Sequence, residues 1–132
     1  MSKIDQLKAK IMDIDQMSMC IKRWRLKNDK IVFTNGCYDI LHKGHVEYLF
    51  ESSVFGDRLI VGLNSDASVR RIKGNKRPVN NESARAITLA GLHCVDAVVF
   101  FDEDTPEQLI NNLSPDVIFC FGWSSIIHKE IL

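Results

Sequence analysis

The chain has 132 residues, 45% of them hydrophobic and 26% charged, with a formal net charge of zero, which is the size and make-up of one globular domain. A neutral balance supplies no global field for nucleic acid or an anionic membrane, so phosphate recognition would need a local cluster of cations. The longest apolar runs, "AVVFF" and "VIFCF", are too short to span a bilayer, and charges interrupt every apolar stretch of the N-terminus, unlike a secretory signal.

Residues 3–14 place Ile4, Leu7, Ile11 and Ile14 at helical spacing, and Asp15 is expected to cap a second helix with Met17, Cys20, Ile21 and Trp24 on one face. Residues 1–28 therefore read as an N-terminal helical arm, ahead of a main domain over 29–132. "KIVFTN" is a short buried-type strand. The next helix is expected from His45 to Phe55, with Val46, Leu49, Phe50 and Val54 turned inward and Gly56 as its stop. "RLIVGLN" reads as a second strand, "SDASVRRI" as a short helix opened by Ser65 or Asp66, and "KGNKRPVN" as a loop. Asn81 is expected to cap a helix carrying Ala84, Ile87, Leu89 and Leu92. "DAVVFF" is a third strand, Thr105 and Pro106 signal the start of the helix "PEQLINNL", "PDVIFCF" is a fourth strand and "SSIIHKEIL" a final helix.

Strands alternating with helices predict an α/β fold, a Rossmann-like doubly wound parallel sheet of four to five strands. The strands are apolar throughout, as strands covered on both faces are. In such sheets ligands bind at the carboxyl ends of the strands, where the strand order reverses. The cysteines, Cys20, Cys37, Cys94 and Cys120, show no C-x-x-C spacing and read as reduced thiols of a cytoplasmic protein.

The stretch "TNGCYDILHKGH", Thr34 to His45, leaves the first strand through a glycine turn and delivers two histidines to a helix start. A helix N-terminus offers unpaired N–H groups and a partial positive charge, which favour anions. Gly36 lets the backbone approach a ligand, and Gly44 is expected to leave room for a phosphate between His42 and His45. Residues three apart lie on one side of a helix start, so both imidazoles can face one phosphoryl group. A zinc pair is the competing reading, but third and fourth ligands at usual spacing are not evident. Neither a G-x-x-x-x-G-K-[ST] phosphate loop nor a G-x-G-x-x-G turn occurs. "RRIKGNKR" concentrates Arg70, Arg71, Lys73, Lys76 and Arg77 after the second strand, either as a solvated loop or folded over the same strand ends as His42.

"GCYDILHKGH" resembles the signature of the H-x-G-H nucleotidyltransferases, the cytidylyltransferase-like superfamily. "GDRLIVGLNSDASVRRIKGNKRPVN" is similar to the adenylyltransferase domain of ADP-heptose synthases, and the likeness runs from Lys30 to Val117. The resemblance implies transfer of AMP from ATP to D-glycero-β-D-manno-heptose 1-phosphate, giving ADP-heptose for the lipopolysaccharide core and releasing pyrophosphate, with magnesium bridging the phosphates. The alternatives are a CTP-dependent cytidylyltransferase acting on a polyol or glycerol phosphate, and an inactive nucleotide-binding fold.

Carried onto this sequence, the resemblance makes His42, His45 and Lys73 catalytic, with Lys73 on the triphosphate and Arg77 near phosphate groups. Asn35 and the backbone of Gly36, Cys37 and Tyr38 line the nucleotide pocket, together with Asp39 and Gly44. Asp39 either bonds its own turn or holds the loop. Asp66 either caps a helix or binds sugar hydroxyls, and Arg85 either faces phosphates or forms a surface ion pair. After "SPDVIF" the pattern departs from the family: Cys120 stands for an expected lysine, Trp123 for an acidic residue, and the serine- and threonine-rich helix start is absent. That predicts a truncated or altered C-terminal part and an apolar edge at "VIFCF", which invites a homodimer.

Overall fold

Four apolar runs become the strands of one parallel sheet in the computed structural model of the chain, which describes residues 1–119. The elements follow in the order α1 (Lys3–Ala9), α2 (Ile14–Leu26), β1 (Ile31–Gly36), α3 (Lys43–Ser53), β2 (Arg58–Asn64), α4 (Asp66–Lys73), α5 (Glu82–Ala90), β3 (Ala97–Phe101), α6 (Glu107–Leu113) and β4 (Val117–Ile118). The strand order is β3-β2-β1-β4, every pair parallel. The chain steps outward from β1 through β2 to β3, then returns to lay β4 on the other side of β1. Strand order therefore reverses at β1, and the crevice at its carboxyl end is the expected ligand position of an open α/β sheet.

The period of two along each strand divides the core between two faces. Val32, Leu59, Val61, Leu63 and Val98 pack with Leu49 of α3 and with Ala86, Leu89 and Ala90 of α5. Ile31, Phe33, Ile60, Ala97, Val99 and Phe101 pack with α2 and α6 on the opposite face. The predicted doubly wound architecture is thus present, with helices on both sides. Met17, Cys20, Ile21 and Trp24 of α2 are buried against the sheet, so the second helix of the leader forms one wall of the core.

Several local expectations change. The helix expected over 3–14 stops at Ala9, because residues 10–12 join the sheet edge. Val98 N–H donates to Lys10 O at 2.8 Å, Met12 N–H donates to Val98 O at 2.9 Å, and Ile11 makes a parallel bridge with Val98. This covers the outer edge of β3, which would otherwise present unpaired backbone groups. Asp13, not Asp15, caps α2, accepting from Gln16 N–H while the Gln16 side chain accepts from Asp13 N–H.

Helix α3 starts at Lys43 rather than His45, and its inward face is Leu49 and Ser52, with Phe50 and Val54 exposed. Tyr48 sets that rotation, its hydroxyl bonding Thr34 Oγ1 of β1 and donating to the Phe119 carbonyl. Ser65 and Asn81 cap α4 and α5 as expected, whereas α6 begins after Pro106 with no side-chain cap. Strand β4 spans Val117–Ile118. The continuation of "VIFCF", the helix expected at "SSIIHKEIL" and the altered C-terminal segment lie outside the described residues.

Candidate active site

The carboxyl end of β1 opens into a recess of about 570 Å³ lined by Asn35, Gly36, Cys37, Tyr38, Asp39, Ile40, His42, His45, Lys73 and Arg77. Three segments meet there: the turn after β1, the N-terminus of α3, and the end of α4 with the loop 74–81 that follows it.

The two histidines are arranged by the helix they open. His42 is the N-cap of α3: its Nδ1 accepts from Gly44 N–H at 3.0 Å, and its own N–H donates to His45 Nδ1 at 3.3 Å. This is a reciprocal capping box built from two imidazoles in place of a hydroxyl and a carboxylate. A backbone N–H can only donate, so in this arrangement both Nδ1 atoms are acceptors and the ring N–H groups lie at Nε2. The rings stack with centroids 4.0 Å apart.

Gly44 leaves room for the His42 ring in this pairing. A Cβ there would lie 2.9 Å from His42 Cε1, closer than carbon atoms approach. Gly44→Ala is expected to displace the His42 ring, lowering turnover about tenfold or more. The gain in helix propensity, about 1 kcal/mol, offsets much of the strain, so the thermal midpoint should move little while the rate falls.

Burial lowers the His45 pKa below its usual value, and the charges of His42 and Lys73 lower it further, against a bond with the Ile40 backbone that favours the proton. Lys73 acts on Cys37 as well, but burial dominates and raises that thiol above its ordinary range. Burial thus disfavours the thiolate of Cys37, the form that acts as a nucleophile. Lys73→Met is expected to raise the His45 pKa, readable by NMR titration of the ring. An unmoved titration would place the ammonium too far away to act.

Asp39 does more than either sequence expectation described. It accepts from Val79 N–H and Asn80 N–H at 2.9 Å and from Arg77 Nη1 at 3.1 Å, and its own carbonyl accepts from Asn80 Nδ2 at 2.6 Å. Burial opposes its ionisation, but these donors outweigh it and hold the carboxyl below the usual carboxylate range. The carboxylate thus clamps the basic loop to the turn after β1. Arg77 remains 45% exposed at the recess while bonded to this carboxylate.

Asp66 and Arg85 are not brought to the recess surface. Arg85, 1% exposed, bonds the partly exposed side chain of Asp66 at 2.8 Å, and Asp66 N–H donates to Glu82 Oε1. Neither is placed to touch a ligand there, because each is engaged by its neighbours. Sequence reasoning missed Asn80, whose backbone and side chain both serve the clamp. Its position beside the expected cap Asn81 was the available signal.

The pattern of the cytidylyltransferase-like family matches residues 33–130. The chain belongs to the cytidylyltransferase-like family. Its relatives include the bifunctional protein HldE of Wolinella succinogenes, 56% identical over 109 residues, covering 83% of this chain and 23% of that protein. HldE of Geotalea uraniireducens is 54% identical over 127 residues, 94% of this chain and 26% of the relative. HldE of Helicobacter pylori strain G27 is 52% identical over 129 residues, 98% of this chain and 27% of the relative.

The chain thus spans about a quarter of the length of these curated relatives. Among solved structures, the lipopolysaccharide core biosynthesis protein from Thermoplasma volcanium superposes with a TM-score of 0.64 at 31% identity, covering 74% of this chain and 79% of the other. The kinship read from "GCYDILHKGH" and the following strand and basic loop is shown by these matches. No helix among the described residues is long and apolar enough to cross a membrane.

Proposed function

We propose that the recess transfers a nucleotidyl group: AMP passes from ATP to D-glycero-β-D-manno-heptose 1-phosphate, giving ADP-heptose and pyrophosphate for lipopolysaccharide core synthesis. The observation that carries this reading is the convergence of His42, His45, Lys73 and Arg77 on one cavity at the point where the strand order reverses. The likeness to the lipopolysaccharide core biosynthesis protein supports a place in lipopolysaccharide core synthesis, and the choice of ATP and heptose phosphate follows the resemblance to ADP-heptose synthases read from the sequence. Both substrates and reduced thiols suit a cytoplasmic location.

A phosphate oxygen of the sugar attacks the α-phosphorus, a P–O bond forms there, and the bond from the α-phosphorus to the bridging oxygen breaks as pyrophosphate departs. Catalysis is then positioning and stabilisation of charge on the phosphoryl oxygens. The imidazoles and the N-terminus of α3 face that charge, and Lys73 and Arg77 hold the departing phosphates. In this reading magnesium enters with the triphosphate as part of the substrate, and the carboxylate of Asp39 is engaged by its own donors.

The test is pyrophosphate release with each of ATP and CTP against each of heptose 1-phosphate and glycerol 3-phosphate. Release confined to ATP with the heptose phosphate is the expected result. Release with CTP and glycerol 3-phosphate alone overturns the substrate choice, and no release with any pair, in a folded chain, overturns the transferase reading.

A further inference from the structure

We infer that Arg85 is a positioning residue that sets the spacing between the histidine side and the cation side of the recess. The inference rests on the nucleotidyl-transfer reading for its kinetic consequence, but not for its structural one. Arg85 lies on α5 and does not line the recess. It is 1% exposed and heads the largest fully buried side chains of the described residues.

Its guanidinium makes four bonds. Nε donates to Asn80 O at 3.0 Å, Nη1 to Cys37 O and Asn64 O at 2.8 Å each, and Nη2 to Asp66 Oδ1 at 2.8 Å. The four acceptors come from three separate stretches of chain, each of which leads to a recess residue. Cys37 lies in the turn that continues to His42. Asn64 ends β2, and Asp66 opens α4, whose last residue is Lys73. Asn80 closes the loop that carries Arg77, and its N–H is held by Asp39.

Ionic pairing alone does not explain this arrangement, since a buried ion pair is often no better for stability than apolar packing. Three of the four acceptors are backbone carbonyls, which an apolar replacement would leave unsatisfied. Only a planar fork with several fixed donors reaches all four, whereas a lysine ammonium is a single point charge. Arg85→Lys therefore keeps the charge and loses the geometry. The two halves of the recess then relax apart, and a displacement of such a kind costs about 10- to 100-fold in turnover.

Three readouts test this on Arg85→Lys: thermal unfolding, pyrophosphate release with ATP and heptose 1-phosphate, and NMR titration of His45. Expected are a folded protein, a kcat lowered about 10- to 100-fold with both KM values within about threefold, and a His45 pKa moved up toward its ordinary value as Lys73 recedes. A rise in KM with kcat unchanged overturns the inference by making Arg85 a substrate contact. A folded variant with parent kcat and parent His45 titration also overturns it.

Should the parent chain release no pyrophosphate, the transferase reading fails, while the His45 titration still decides the positioning role. Should Arg85→Lys not fold, Asp66→Ala, which removes one acceptor of the fork at a partly exposed carboxylate, carries the same test with a smaller shift in the same direction. A folded Asp66→Ala protein with parent kcat and titration then overturns the inference.

Discussion

His45→Ala is expected to lower kcat about 100- to 1000-fold, the usual cost of removing one donor aimed at transition-state charge. The same substitution has a second, smaller effect. His45 Nδ1 is the acceptor for the His42 backbone N–H in the imidazole capping box. Losing it costs about 0.5–2 kcal/mol of stability, as lost caps do, and frees the neighbouring ring to turn.

His45→Gln separates the two roles. A glutamine at this third helical position restores the reciprocal cap, since its side-chain oxygen accepts from the same N–H, but it has no imidazole to meet the phosphoryl group. The thermal midpoint of the glutamine variant should return close to that of the parent, while turnover stays low. Turnover within threefold of the parent in the glutamine variant would falsify the catalytic assignment and leave His45 a capping residue.

Asp39→Ala should destabilise the protein by about 2–4 kcal/mol, because Val79 N–H, Asn80 N–H and Arg77 lose a charged acceptor together. Turnover should fall with it, since Arg77 and the loop behind Lys73 are no longer fixed to the turn after β1. The carboxylate also makes this clamp depend on acid. Its folded pKa is below its unfolded value, so the folded state disfavours protonation. Its stabilising contribution is complete above the unfolded pKa, about 3.9, and is lost as pH falls through the lower folded value. Urea midpoints measured between about pH 6 and pH 2 should therefore drop more steeply for the parent than for Asp39→Ala across that acidic window. Parallel curves would show that the carboxylate is not held in its ionised form.

His45 contributes with a different window. Its lowered pKa means that the folded state resists its protonation. Its part of the stability is complete above its unfolded pKa, about 6.5, and falls away as pH drops through the lower folded value. The parent and Asp39→Ala both keep His45, so the imidazole contribution is common to the two curves and their difference reports Asp39.

Much of the site was legible because its information is local. "TNGCYDILHKGH" names a strand end, a turn and a helix start in consecutive residues, and the spacing of His42 and His45 follows from helical geometry alone. The bounds of β2 were legible for the same reason: a run of apolar residues ends at Asn64, followed by the cap Ser65. The close approach of the His42 ring to Gly44 was not legible, because it depends on the ring orientation that the capping box sets. The break after Ala9 was not legible, because helical spacing of Ile4, Leu7, Ile11 and Ile14 cannot announce that Ile11 pairs with Val98 of a distant strand.

By itself the sequence determined the family, the order of strands and helices, and the presence of two histidines, a lysine and an arginine after the first and second strands. Caps, turns and amphipathic periods are contacts between residues a few positions apart, so they are written directly in the chain. Only the tertiary structure decided that Asp39 clamps a loop 40 and 41 residues away, and that Arg85 is buried among carbonyls up to 48 residues distant rather than exposed to phosphate. Those partners are chosen when the β-strands stack in register and the helices bury their apolar faces. That choice depends on the summed burial of the whole sheet, and no local pattern around Asp39 or Arg85 encodes it.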